Sequence, residues 1–317
     1  MVTFAKLVPH LRLGLVFVLG FGLGRNFFLL PSFGAGTLQV HESLRTTLAP
    51  DPQLELPALN ASACTKSKRV GNSGDGGWDV CLDDLPATGC VVYSGGISDS
   101  ASFDEAISAQ PFGCEVHGFD PTLGANLAAM SERFRRGGMH LHDWGLGGTD
   151  FVYPAGTAPW VWPGAGYGAF SNPAAWQFYA LQTAMAELGH EKLAVFKCDI
   201  EGGEWPLLER LLSDSRARTM LSRGGIRQIM FEVHFMPRPD AGLSATSARH
   251  PTSAALVDAF NLHARDLLHQ LSGLGFVLWK ADTNGVSPPL RSAASSPRSC
   301  HELYFVWRGA PPARGTV

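Results

Sequence analysis

Positive charge is not in excess in this 317-residue chain: 25 lysines and arginines face 28 aspartates and glutamates, for a formal net charge of −3. Surfaces that track nucleic-acid phosphates carry a basic patch or stripe, so a nucleic-acid partner is disfavoured and a small or neutral substrate favoured. Cysteine is scarce, and six residues in a chain of this length do not make a disulfide scaffold. Nor does any cysteine or histidine spacing match a zinc site. A G-x-G-x-x-G turn is also missing. The nearest segment, SGGISD, lacks the first-to-third glycine spacing, which disfavours a nicotinamide-dependent enzyme.

Long hydrophobic runs are confined to the amino terminus, where residues 13–30, LGLVFVLGFGLGRNFFLL, are apolar except for Arg25 and Asn26. Lys6, His10 and Arg12 precede them, giving a basic region followed by a hydrophobic core. A spanning helix needs about 20 apolar residues, a length reached here only if Arg25 snorkels to an interface. The expectation is a signal anchor over 1–36 with a cytosolic amino terminus, set by Lys6 and Arg12, and a lumenal domain in the ER or Golgi. A cleaved signal with secretion, or a transit peptide, fits the same residues. Residues 37–70, rich in Pro, Ser, Thr and Ala, read as a linker or stem. A domain over 71–310 and a short tail over 311–317 complete the division. A lumenal location permits one or two disulfides among Cys64, Cys81, Cys90, Cys114 and Cys300, whereas Cys198, inside an apolar strand, reads as a buried thiol.

What remains is one α/β pattern. Apolar runs predict strands near 90–93, 115–119, 139–142, 193–199, 228–235, 275–280 and 302–307. Three- and four-residue apolar spacing predicts helices over 98–110, 122–135, 174–189, 203–213 and 253–272. Alternating β and α elements imply a mostly parallel sheet with helices on both faces. In VFKCDIEGGEWPLLERLL, residues 195–212, an apolar strand ends abruptly in Asp199 and Glu201. Carboxylates at the carboxyl edge of an open parallel sheet mark a ligand site. In CVVYSGGISDSASFDEAI a strand from Cys90 to Tyr93 runs into Gly95 and Gly96, which let a cofactor approach the backbone, with Ile97 beyond and Ser98 and Asp99 as helix caps. CEVHGFDPT ends a third strand in Asp120, placed to accept from both hydroxyls of an adenosine ribose. The bland reading of Asp120 is a helix cap before Pro121.

These segments, with GDGGWDVC over 74–81, LHDWGLGG, KCDIEGGEW, FEVHF and SCHELYFV, resemble the S-adenosylmethionine-dependent methyltransferases related to the FkbM type, in the methyltransferase-like branch that carries GDGGWDVC. The resemblance spans residues 71–307. It implies a Rossmann-like, seven-stranded class I sheet with an antiparallel last strand beside the sixth. It implies S-adenosyl-L-methionine as cofactor, held by Tyr93, Gly95, Gly96, Ile97 and Asp120. It puts His142, Asp143 and Trp144 near the adenine, though Trp144 serves equally as packing under a long loop. It sets Asp199 and Glu201 beside the transferred methyl, against a plainer role for either as a helix cap.

The strand QIMFEVHF puts Glu232 and His234 on one face with Met230. They read either as a satisfied core pair or as catalytic groups, with His234 a general base toward a hydroxyl acceptor. A divalent magnesium or manganese ion on Asp199, Glu201 and Glu232 would also acidify a hydroxyl, but no spacing demands one. The irregular stretch 147–176, with Trp160, Trp162, Tyr167 and Trp176, reads as a lid or a platform for a glycan or other small acceptor, or as a loop pinned by tryptophans. The sequence thus points to O-methylation of a glycan or small-molecule hydroxyl. A noncatalytic module keeping the fold, and less readily an NAD-dependent enzyme, are the alternatives.

Overall fold

A computed structural model describes residues 55–156, 174–236, 254–284, 287, 290, 296 and 298–309. The chain divides into two units, Met1–Asp51 and Pro52–Val317, and the first lies outside the described residues, together with the apolar run 13–30. Among the described residues no helix is long and apolar enough to cross a membrane.

Seven strands form the central sheet: β3 (Val91–Gly95), β4 (Glu115–Phe119), β5 (His140–His142), β9 (Leu193–Cys198), β10 (Ile226–His234), β11 (Phe276–Thr283) and β12 (Cys300–Trp307). Their order is β11-β12-β10-β9-β3-β4-β5. Neighbours from β10 to β5 run parallel, and β12 is antiparallel to both β10 and β11. The last strand is therefore inserted beside the sixth, as the resemblance implies. Strand β9 shows why the sequence chooses this arrangement. All six residues of LAVFKC are buried, the continuous burial expected of a parallel strand covered on both faces.

The chain builds outward from β3 through β4 to β5, then returns to pair β9 with the other side of β3, Gly95 lying opposite Cys198. That reversal is a topological switch point, and it brings the glycine turn after β3 beside the acidic turn after β9.

Helices cover both faces. Phe231, Val233, Leu303 and Phe305 face Leu207, Leu211, Leu268 and Leu271 from α4 (Glu204–Ser213) and α6 (Ala254–Gly273). On the opposite face Met230, Tyr304 and Val306 belong with Phe103 and Ile107 of α1 (Ser102–Ser108) and Met130 and Phe134 of α2 (Leu127–Arg136). Met130 and Phe134, four residues apart, form the buried stripe of α2. Gly118 admits that stripe, because a Cβ there would meet the Phe134 ring.

Three expectations need correction. The helix predicted over 174–189 begins as strand β8 (Trp176–Ala180), and only α3 (Leu181–Glu187) is helical. Strand β8 joins β6 (Gly145–Gly147) and β7 (Phe151–Tyr153) in a small sheet, so part of the irregular stretch 147–176 is ordered β structure. Trp160, Trp162 and Tyr167 lie outside the described residues. The helix expected from Ser98 starts instead at Ser102, with Ala101 at its cap. The stem over 37–70 also gives way to folded structure before residue 71. β1 (Ser67–Val70) pairs antiparallel with β2 (Trp78–Cys81), and Cys64 is disulfide-bonded to Cys81. Buried Gln228 of β10 holds this ribbon to the sheet: its amide donates to Cys81 O at 2.8 Å and its carbonyl accepts from Cys81 N at 2.9 Å. One further helix, α5 (Ser215–Ser222), is started by Asp214, whose carboxylate caps Arg216 N and Ala217 N.

A second disulfide, Cys90–Cys114, ties the amino ends of β3 and β4. The two remaining cysteines, Cys198 and Cys300, are free and buried. Closing the 24-residue separation between Cys90 and Cys114 restricts the unfolded chain. Replacing both by alanine is expected to lower unfolding free energy by about 3 kcal/mol, measured by denaturant titration under non-reducing conditions.

Candidate active site

The carboxyl edge is built from two turns that touch. Gly96 has φ +76°, and a Cβ there would collide with the carbonyl oxygen of Asp199. Its glycine is thus required by the neighbouring turn of this chain, and not only by an approaching cofactor. Gly96 N donates to Phe119 O at 3.0 Å and Asp199 N to Gly95 O at 3.0 Å, stitching β4, β3 and β9 together at their ends. Lys197, buried in β9, donates from Nζ to Gly95 O at 3.0 Å and also to Gly96 O. Its ammonium lies over the Trp78 ring, so Trp78 plugs the face beneath the turn. Asp104 is also buried; burial pushes its carboxyl up, opposed by the Lys197 charge.

Asp120 belongs to the same construction. Its Oδ2 accepts from Ile97 N at 2.9 Å and Ser98 N at 2.7 Å, and its Oδ1 from Thr122 N at 2.7 Å and Thr122 Oγ1 at 2.6 Å. Four donors from the chain take up the lone pairs a carboxylate offers. Rather than lying open to ribose hydroxyls, Asp120 fixes the glycine turn. Ser98, at φ +53°, and Glu201, at φ +56°, are the non-glycine residues in the left-handed region among those described, and they sit in the two facing turns. Left-handed backbone costs an L-residue about 1–2 kcal/mol, and such strain collects at functional sites.

Glu201's turn also breaks the extended alternation expected of Asp199 and Glu201. The chain leaves the strand at Cys198, and Ile200 N donates to Glu204 Oε1 at 2.7 Å. Glu204, fully buried at the start of α4, in turn faces His234 Nδ1 at 3.3 Å, while Glu201 Oε2 faces His234 Nε2 at 3.6 Å. Trp205 Nε1 donates to His234 O at 2.8 Å, locking α4 to the end of β10. Asp199 Oδ1, Glu201 Oε2 and Glu204 Oε2 are buried without a hydrogen bond.

Protonation follows from this crowding. Burial pushes Glu201 up to about 7; His234 opposes the shift, and Asp199 and Glu204 add to it. Glu232 is pushed up to about 8 by burial and then by Asp199's charge, against His234 and a hydrogen bond from Asn284. Burial alone would depress His234, but Glu204's charge and hydrogen bonds with Cys300 and Glu204 raise it well above the usual imidazole value. A raised His234 favours the imidazolium, which opposes the general-base role expected of it. The groups whose basicity lies near neutrality are carboxylates.

The other expected site residues divide. Glu232 and His234 share the Met230 face, as the alternation predicted. Tyr93 is not in the site: it is fully buried in mid-strand, its hydroxyl 2.8 Å from His190 Nδ1. Gly95 and Ile97 shape the turn through backbone. His142 stacks on Phe119, with ring centroids 4.8 Å apart. Trp144 is half-buried against Phe119, His142 and Tyr179, and Asp143 is exposed beside it. The three carboxylates expected to share a divalent ion do not group together among the described residues: Asp199 and Glu201 cluster with His234, whereas Glu232 clusters with His234 and Cys300. Sequence reading missed Lys197, Glu204 and Cys300. The signals were a lone lysine inside an apolar strand and an acid at the first position of a helix.

An open α/β sheet with a glycine turn and an acidic turn meeting at its switch point defines a class of small-ligand enzymes. A methyltransferase-domain family model matches residues 59–266, and the chain belongs to that family. Similar curated proteins are the probable methyltransferase-like protein 24 of Rattus norvegicus, 31% identical over 165 residues, and that of Homo sapiens, 30% identical over 168. Each alignment covers 50% of this chain and 38% of the relative, so the chain matches well under half the length of these proteins. Among solved structures, methyltransferase FkbM from Methylobacillus flagellatus aligns with TM-score 0.39 at 11% identity, over 68% of this chain and 43% of its own. A Methanococcus jannaschii fibrillarin pre-rRNA processing protein aligns with TM-score 0.34 at 10% identity, over 71% and 69%.

Two outcomes are expected. Asp120→Ala strands two turn amides and lowers stability by about 3 kcal/mol, read by denaturant titration. Glu201 and Glu232 have raised folded-state values, so the stability they supply is complete below about pH 4.5 and is lost as pH rises through about 7 and 8; His234, also raised, loses its contribution in the same direction, at higher pH than a free imidazole. Stability measured across that window should fall with pH, and Glu201→Gln/Glu232→Gln should flatten the slope; an unchanged slope would count against the assignment.

Proposed function

We propose that this protein is an S-adenosyl-L-methionine-dependent methyltransferase acting on a hydroxyl of a glycan or small molecule. The observation that carries the reading is the carboxylate group at the switch point: Glu201, strained and raised to about 7, next to Asp199, whose Oδ1 is buried without a hydrogen bond. An orphaned carboxylate oxygen beside a glycine turn fits the ammonium of an amino-acid moiety, which brings three donors. The half-buried Trp144 face at the end of β5 fits an adenine ring.

The cofactor supplies an already activated methyl on a sulfonium. The chain's residues do the rest. Lys197 and Asp120 hold the glycine turn against Asp199, so the donor pocket is formed before ligand arrives. Glu201 accepts the acceptor hydroxyl's proton as the oxygen attacks; a carboxylate basic near neutrality is suited to that transfer. The His234 imidazolium, between Glu201 and Glu204, orients the base and balances its charge. Glu232 supplies a second carboxyl for an acceptor hydroxyl.

Two disulfides favour an oxidising compartment. They support a lumenal or secreted domain, with the apolar run 13–30 as a signal anchor or cleaved signal.

Calorimetric titration of S-adenosyl-L-methionine into the full-length chain tests the reading. Micromolar affinity is expected, weakened at least about tenfold by Asp199→Asn through loss of one charged hydrogen bond. Glu201→Gln should retain that affinity while lowering methyl transfer by about 100-fold or more. Absence of binding by folded protein would remove the enzyme reading and leave a noncatalytic module on the same fold.

A further inference from the structure

A second cluster of ligand-type side chains lies away from the carboxyl edge, on the amino half of β4 and β5. Of the chain's 11 histidines, four meet here: His117, His140, His142 and His190. Register explains the gathering. Tyr93, His117 and His140 are direct neighbours across β3, β4 and β5, and Glu115 lies two residues before His117 on the same face. His190 is added by the loop between α3 and β9.

Two of these imidazoles converge on one carboxylate oxygen. His117 Nε2 is 3.0 Å from Glu115 Oε1, and His190 Nε2 is 3.5 Å from the same oxygen. Each ring is held from behind: His117 Nδ1 by His142 Nε2 at 3.0 Å, His190 Nδ1 by the Tyr93 hydroxyl at 2.8 Å. Ligating histidines are oriented this way, with the second ring nitrogen engaged by a polar partner. Ligands about 2.05 Å from a tetrahedral zinc are about 3.4 Å apart, and the two separations bracket that value. His140 stacks on His117 with centroids 4.6 Å apart, and ligand atoms of Glu115, His117 and His140 lie within 4.8 Å of one another. Glu115 and His140 are exposed, which opens a path for an ion, while His117 is buried.

We propose that Glu115, His117, His140 and His190 bind a divalent metal ion of the zinc class, clamping the edge strand β5 and the loop after α3 to β4. Three imidazoles and one carboxylate suit zinc over magnesium or calcium, which prefer oxygen ligands. The site is separate from the acidic turns and does not depend on methyl transfer.

The test titrates Zn²⁺, and in parallel Co²⁺, into the metal-free full-length chain. One equivalent of Zn²⁺ is expected to bind with submicromolar affinity and raise the melting temperature, and Co²⁺ to give the intense visible absorption of a tetrahedral site. His140→Ala and Glu115→Gln, at exposed positions, and His190→Ala, at a half-buried one, should each weaken binding about tenfold or more. Glu201→Gln should leave it unchanged. The proposal is overturned by an absence of binding at micromolar Zn²⁺, by binding indifferent to the three substitutions, or by binding lost with Glu201→Gln, which would move the ion to the carboxyl edge.

Discussion

The contact on which the site depends is the meeting of two backbone turns, Gly95–Ser98 and Asp199–Gly203, across the gap between β3 and β9. Gly96 fits there only because it has no side chain, with the Asp199 carbonyl occupying the position a Cβ would take. Lys197 then satisfies both glycine carbonyls from below, and Asp120 satisfies the amides of Ile97 and Ser98 from the side. A buried cation and a buried anion, each hydrogen-bonded to the backbone of the turn, convert a loop into a fixed wall. Polar groups buried in this way are costly when unpaired and specifying when paired.

That wall determines the chemistry of what faces it. Because the turns are pressed together, Asp199, Glu201 and Glu204 crowd one side of the His234 imidazole and Glu232 lies on another, the first, second and fourth of these acids only partly buried. Four carboxyls cannot all ionise there, and the excess charge is relieved in two ways: His234 keeps its proton, and Glu201 and Glu232 hold theirs to unusually high pH. The proposed inversion of roles, with the histidine as cation and the glutamate as base, rests on counting charges around that imidazole and not on residue type.

Most of the sheet was legible because buried strands read as largely apolar runs, and LAVF, QIMF and LYFV are of that kind. The small sheet of β6, β7 and β8 was not, since β6 and β7, with three residues each, are too short to show a period. WQFYA was ambiguous between strand and helix, its aromatics satisfying either spacing. Residues 60–70 have the composition of a linker, yet one disulfide and the Gln228 side chain recruit them to the sheet. At the site, Asp199, Glu201 and Glu232 were visible as acids ending apolar strands. Tyr93 was misplaced because its direction depends on where the strand twist carries it. Glu204 and Lys197 were hidden because their importance arises from tertiary neighbours that no local pattern encodes.

The two ends of the sheet are built from different materials. At the amino ends of β3 and β4 stand a disulfide and a ladder of imidazoles; at the carboxyl ends stand strained turns and crowded acids. Since β3 and β4 are only five residues long, the separation is short in distance but complete in kind. A change at the amino end alters how long the molecule survives without reaching the acids, whereas a change at the carboxyl end alters stability and site together.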